Sequence, residues 1–162
     1  MKIIVVDENN NIIGSKERND IQSEDIYRVS GLWVTNSKGD ILLAQRKFTK
    51  RNDPGKWGPA VAGTVEEGES YEENIIKEAY EELGLKDIKP EAGQVRRNYG
   101  IHNYFSQRFY LTSDKEINDF KIAEDEVKQI KWFERHELQK LIKEKPEMFI
   151  KSLQSWTDEF TN

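Results

Sequence analysis

Three glutamates, Glu78, Glu81 and Glu82, stand at i, i+3 and i+4 in a stretch whose apolar periodicity predicts a helix over 71–83. That spacing puts them on one helix face with Cβ atoms roughly 5–6 Å apart, an arrangement that weakens an isolated helix through like-charge repulsion. The other side carries Ile75, Ile76, Ala79 and Leu83, which are expected to bury against a sheet. An acidic face is ordinarily a solvated one. Its other use is to hold a divalent cation, because hard ions such as Mg²⁺ take oxygen ligands and a rigid helix can present several carboxylates together. The flanks favour the cation. A small-residue strand, Ala60-Val61-Ala62-Gly63, leads in, and a turn at Gly68-Glu69 precedes the helix. Small residues let a substrate or metal approach the backbone closely.

Residues 63–85 resemble the signature box of the Nudix hydrolases, G-x5-E-x7-R-E-U-x-E-E-x-G-U, where U is a bulky aliphatic residue. Gly63, Glu69, Glu78, Glu81, Glu82, Gly84 and Leu85 fall on motif positions, Ala79 fills the middle U with a smaller apolar residue, and Lys77 replaces the arginine. The resemblance implies that Glu78, Glu81 and Glu82 are catalytic and bind Mg²⁺ or Mn²⁺, with the Ala62 carbonyl as a further ligand. It implies that Glu69 pairs with Lys77 to steady the loop against the helix. Lysine keeps the charge but loses the bidentate fork, so a slightly looser loop is expected, with Gly63 and Gly84 as further structural positions. The implied activity is hydrolysis of a phosphoric anhydride: a nucleoside diphosphate linked to another moiety gives a nucleoside monophosphate and a phosphorylated product. A cation held by carboxylates suits that chemistry by neutralising phosphate oxygens and lowering the pKa of an attacking water.

The remaining groups follow from what such a reaction requires. Glu126 resembles a downstream acidic residue that serves as general base in the family, with Glu124 and Asp125 as rivals. Phosphates call for cations, and Arg46, Lys47, Lys50, Arg51 and Lys56 cluster before the box, with Arg96 and Arg97 after it. Arg46 and Arg51 are the substrate-binding candidates. Trp57 and Tyr99 are candidates to contact a nucleobase, although aromatic residues such as Tyr104 and Phe105 are more often core. His102, without a visible partner, is expected to be structural or exposed. The amino-terminal pattern Val6-Asp7-Glu8-Asn9, the run from Arg51 to Trp57 and the Trp132-Phe133 strand resemble the Nudix branch that includes isopentenyl diphosphate isomerase. That isomerase uses an active-site cysteine near the strand before the box, and this chain has no cysteine. A ligand-sensing module without turnover would be marked by broken metal carboxylates, whereas all three are present.

Composition bounds these readings. The 162 residues fit one domain, expected to span 1–162 with the box at 63–85. The absence of cysteine excludes disulfides, thiolate zinc sites and cysteine nucleophiles. A net charge of -5 argues against general nucleic-acid binding. No run is long enough to span a membrane, and the first residues lack a signal-peptide pattern, so a cytoplasmic protein is expected, as monomer or homodimer.

To position the acidic helix, the chain offers strands over 2–6, 12–13, 26–35, 40–46, 59–65, 92–98, 103–112 and 127–133. Helices are expected over 71–83 and 137–143, with a last one starting at Pro146. Phe149, Leu153, Trp156 and Phe160 recur at near-helical spacing and are expected in the core rather than at a dimer contact. The expected fold class is α/β: a Nudix-type α/β/α sandwich around a central mixed β-sheet.

Overall fold

Ten residues rich in β-branched and aromatic side chains, Ile26–Thr35, form strand β3, on which the sheet is organised. The computed structural model describes residues 1–160. Earlier in the chain are β1 (Lys2–Val6) and β2 (Ile12–Glu17), followed by a 3₁₀ turn at Arg18–Asp20. After β3 come β4 (Ile41–Arg46), β5 (Trp57–Pro59), β6 (Val61–Thr64), α1 (Tyr71–Leu83), β7 (Glu91–Asn98), β8 (Tyr104–Thr112), β9 (Val127–Phe133), α2 (Arg135–Glu144) and α3 (Lys151–Gln154).

The nine strands form one mixed sheet. Along one edge β3 runs parallel to β8, from Tyr27 opposite Tyr104 to Thr35 opposite Thr112. The other edge is shared among antiparallel partners: β1 at Ile26–Tyr27, β6 at Val29–Leu32 and β4 at Val34–Thr35. β4 also pairs antiparallel with β5 and β9, and β7 with β8.

Side chains alternate across the sheet and divide the core. Leu32, Val34, Leu42 and Ala44 pack with Ile75, Ala79 and Leu83 of α1. Trp33, Ile41 and Leu43 face the opposite side, against Leu138 and Ile142 of α2 and the C-terminal Phe149, Leu153, Trp156 and Phe160. Helices thus cover both faces, the expected α/β/α sandwich. The C-terminal stripe is core, with Trp156 stacked on Trp33 at 5.0 Å.

Two elements differ from expectation. The strand expected over 59–65 is two strands that break at Ala60, because β5 pairs with β4 whereas β6 crosses to β3. The last helix is divided into a 3₁₀ turn at Pro146–Met148, the short α3 and a 3₁₀ segment at Ser155–Phe160. Its backbone is diverted at Phe149, which bridges to Trp57, and the Ile150 amide donates to the Trp57 carbonyl at 2.9 Å. Among the described residues no helix is long and apolar enough to cross a membrane.

Candidate active site

Helix α1 is fixed at both ends. Ser70 and Glu73 form a reciprocal capping box, and Gly84 closes the C-terminus at φ 67°, with its amide donating to Tyr80 at 2.9 Å. A Cβ on Gly84 would also lie 2.9 Å from the Lys121 Cβ. Ile75, Ala79 and Leu83 are buried and set the rotation of the helix on the sheet, whereas Ile76, expected in that face, is exposed. The turn-related Glu78 and Glu82 consequently lie along β6, partly buried, and Glu81 stands further out in solvent.

The fit between α1 and β6 depends on Gly63. A Cβ there would sit 2.5 Å from the Glu78 Cγ, so only glycine lets this carboxylate rest against the strand. Next to it, the Ala62 amide hydrogen-bonds the Glu82 carboxylate. In an antiparallel pair a residue turns its N–H and C=O the same way. An Ala62 amide given to Glu82 therefore places the Ala62 carbonyl, too, on the open side of β6, facing α1. Burial, with the charge of Glu81, pushes Glu78 up to about 7. Burial, with the charges of Glu78 and Glu126, pushes Glu82 up to about 8. Crowded carboxylates beside a free-facing carbonyl make an all-oxygen donor set, which fits a hard divalent cation. Among the described residues, however, no group of three acidic, histidine or cysteine side chains is already gathered as a cage.

The loop before the helix is tied by ion pairs. The Lys77 ammonium donates to Glu69 and, at 2.9 Å, to Glu66. Burial alone would lower the Lys77 pKa, but the hydrogen bonds to Glu69 and Glu66 outweigh it and raise it well above the ordinary value. Burial likewise pushes Glu69 up, and hydrogen bonds from Lys77, the Glu66 amide and Asn74 bring it below its usual range. Lys77 thus offsets the missing fork by bridging two carboxylates. Asn74 completes the tie. Fully buried, it donates to Thr64 and Glu69, both at 3.0 Å, and accepts from the Ser30 hydroxyl. Sequence reasoning missed Asn74. Its signal was a polar residue next to Ile75, inside the buried face of the helix.

Glu78, Glu81, Glu82, Ala62 and Gly63 line one cleft of about 1200 Å³ together with Arg46, Arg51 and Glu126. Glu126 is held by Lys50 from the loop after β4, and Asp125 lines the same cleft. The Arg46 Nε donates to the Asn52 carbonyl at 3.0 Å. His102, expected to be structural or exposed, is exposed at the cleft rim, and Arg18 and Asn19 reach the cleft from the N-terminal hairpin.

The two aromatic candidates are not part of this assembly. Trp57 is buried on the α2 side, edge-on to Phe133 at 5.1 Å, because its strand register points it into that core layer. Tyr99 is 74% exposed on the β7–β8 loop, with the Arg97 guanidinium 4.0 Å above its ring. Trp57 thus packs in the core layer, and Tyr99 is not among the described residues that line the cleft. Arg97 pairs with Glu8 at 3.1 Å and Lys56 with Asp53 at 3.6 Å, so these cations serve other contacts.

Comparison with known proteins agrees with this geometry. The family profile described as NUDIX domain matches residues 26–153. An uncharacterized Nudix hydrolase of Yersinia pestis is 27% identical over 154 residues, covering 94% of this chain and 83% of that protein. The isopentenyl-diphosphate Delta-isomerase of Escherichia coli is 38% identical over 60 residues, only 37% of this chain and 33% of its own. The crystal structure of DR0079 from Deinococcus radiodurans superposes with a TM-score of 0.84 at 22% identity, covering 100% of both chains.

Proposed function

The chain belongs to the Nudix family, and from that premise we propose that the cleft is a divalent-cation-dependent site for hydrolysing a nucleoside diphosphate linked to a second moiety. The observation that carries the reading is the meeting of Glu78 and Glu82 with the open edge of β6 at Ala62 and Gly63. Glu78, Glu81, Glu82 and the Ala62 carbonyl would hold Mg²⁺ or Mn²⁺. When bound, the cation supplies positive charge to the diphosphate and to the attacking water.

The chain's own groups do the rest. Arg46 and Arg51 orient phosphate oxygens from the wall formed by the loop after β4. Glu126 accepts the proton of the attacking water, and its position is kept by the Lys50 ion pair. A new P–O bond forms to the water oxygen as the anhydride P–O bond breaks. The products are a nucleoside monophosphate and the phosphorylated second moiety. An isomerase reaction of the cysteine-dependent kind lacks the cysteine it relies on here, since the 162 residues include none.

The test is a panel of nucleoside di- and triphosphates, nucleotide sugars, NADH and dinucleotides, assayed for product with and without Mg²⁺. Metal-dependent cleavage of at least one compound is expected. Silence across the panel, with the same compounds still raising the melting temperature, would replace the hydrolase reading with a binding module.

A further inference from the structure

Two arginines in the cleft have nothing to bond. Arg18 and Arg51 both line it, and neither side chain has a hydrogen-bond or ion-pair partner among the described residues. The chain carries 30 acidic residues, and other arginines are matched to them, as Arg97 is to Glu8 and Arg108 to Glu159. An unpartnered guanidinium lining a cavity has its donors free for an anion, and its planar fork matches phosphate oxygens two at a time.

The two come from separate parts of the chain. Arg51 sits in the loop after β4. Arg18 follows β2 and lies outside the family-matched residues 26–153. Its amide donates to the Met1 carbonyl at 3.0 Å, and Ile3 bridges to Glu66 in the loop that precedes α1. That docking brings the N-terminal hairpin to the same cleft as the carboxylates. No Phe, Tyr or Trp is among the described residues lining it. His102 at the rim is the one aromatic ring among the described lining residues, and the cations that line the cleft are Arg18, Arg46, Lys50 and Arg51.

We propose that Arg18 receives a third phosphate, beyond the two whose oxygens Arg46 and Arg51 orient, so that the substrate class is a tri- or polyphosphate anhydride rather than a diphosphate joined to a neutral group. This rests on the reading of the cleft as a phosphoric-anhydride site. Arg18 is a specificity residue supplied by the N-terminal hairpin.

Calorimetric titration with inorganic tripolyphosphate and inorganic pyrophosphate, in Ca²⁺ and physiological salt, tests this without needing turnover. Wild type is expected to bind tripolyphosphate about tenfold tighter than pyrophosphate, as one charge-assisted contact allows. Arg18→Ala should remove most of that preference while leaving pyrophosphate affinity unchanged, whereas Arg51→Ala should weaken binding of both probes. Arg18→Lys should retain part of the preference. Arg18 is exposed, so its replacement leaves the core intact. Equal affinity of wild type for both probes overturns the proposal, as does an equal loss for both probes in Arg18→Ala. The same loss in Lys140→Ala, on the far-exposed α2 surface, would reduce the effect to net charge and also overturn it. Binding of neither probe would overturn it together with the reading of the cleft. Metal-dependent cleavage without a tripolyphosphate preference would overturn this inference alone.

Discussion

Glu82 and Glu78 carry raised pKa values because the fold buries them beside each other and beside further carboxylates, with few donors to compensate. The sign of the consequence follows from linkage. Between the unfolded value near 4.5 and the folded values of about 7 and 8, the folded state binds more protons than the unfolded one. Stability of the metal-free protein should therefore fall as pH rises through that window. Thermal melts in EDTA are expected to show a lower Tm at pH 8 than at pH 6, and Glu82→Gln should flatten the slope. A metal-free Tm that climbs over the same interval would contradict the burial argument. Lys77 is the other decisive side chain. Its removal in Lys77→Ala leaves Glu69, only 18% exposed, without its cation, at a cost of about 1–3 kcal/mol in urea unfolding. At this scale the sequence was legible where roles follow spacing along one helix and its loop. Arg18, Asn19 and His102 were illegible as cleft residues, because they reach the cleft through tertiary folding of hairpins distant in sequence.

Helix α1 and strand β6 form the element pair on which the site depends. The contact is tight enough that Gly63→Ala would drive a Cβ to within 2.5 Å of the Glu78 side chain. The expected result is a destabilisation of about 1–3 kcal/mol from overpacking. A larger fractional loss of turnover is expected than any loss of folded protein, since the carboxylate itself is displaced. Unaltered activity would show that Glu78 does not act from its place against β6. Element boundaries for β3, α1 and β9 could be read directly because β-branched and aromatic residues crowd the two strands and Gly84 closes the helix. The break at Ala60 could not be read, since a strand's change of partner leaves no mark in its own composition. The same holds for Trp57. Its side is set by the β4–β5 register, which pairs Trp57 with Gln45 and turns the indole away from the cleft. Trp57→Ala is accordingly expected to cost about 3–5 kcal/mol of stability, as for other large core truncations. Substrate KM of the folded fraction should not change. A raised KM with normal stability would restore the base-contact reading.

For the whole molecule, the sandwich serves to hold two loops and one hairpin around a single helix flank. The family match begins at Ile26, yet β1 is tied into the fold by Val65, Ile26 and the loop at Glu66, so the N-terminal hairpin helps build the cleft. We propose that residues 1–162 act as one domain on this ground. The most direct test of the central claim is the Mg²⁺ dependence of turnover, measured on whichever anhydride the panel identifies, for wild type and Glu82→Gln. The account predicts a rate that rises saturably with Mg²⁺ and vanishes in EDTA. It also predicts a fall of roughly a hundredfold or more in kcat for a correctly folded Glu82→Gln, the scale of losing one transition-state electrostatic contact. Turnover that persists in EDTA, or a Glu82→Gln variant that keeps the wild-type kcat and Mg²⁺ response, would contradict it.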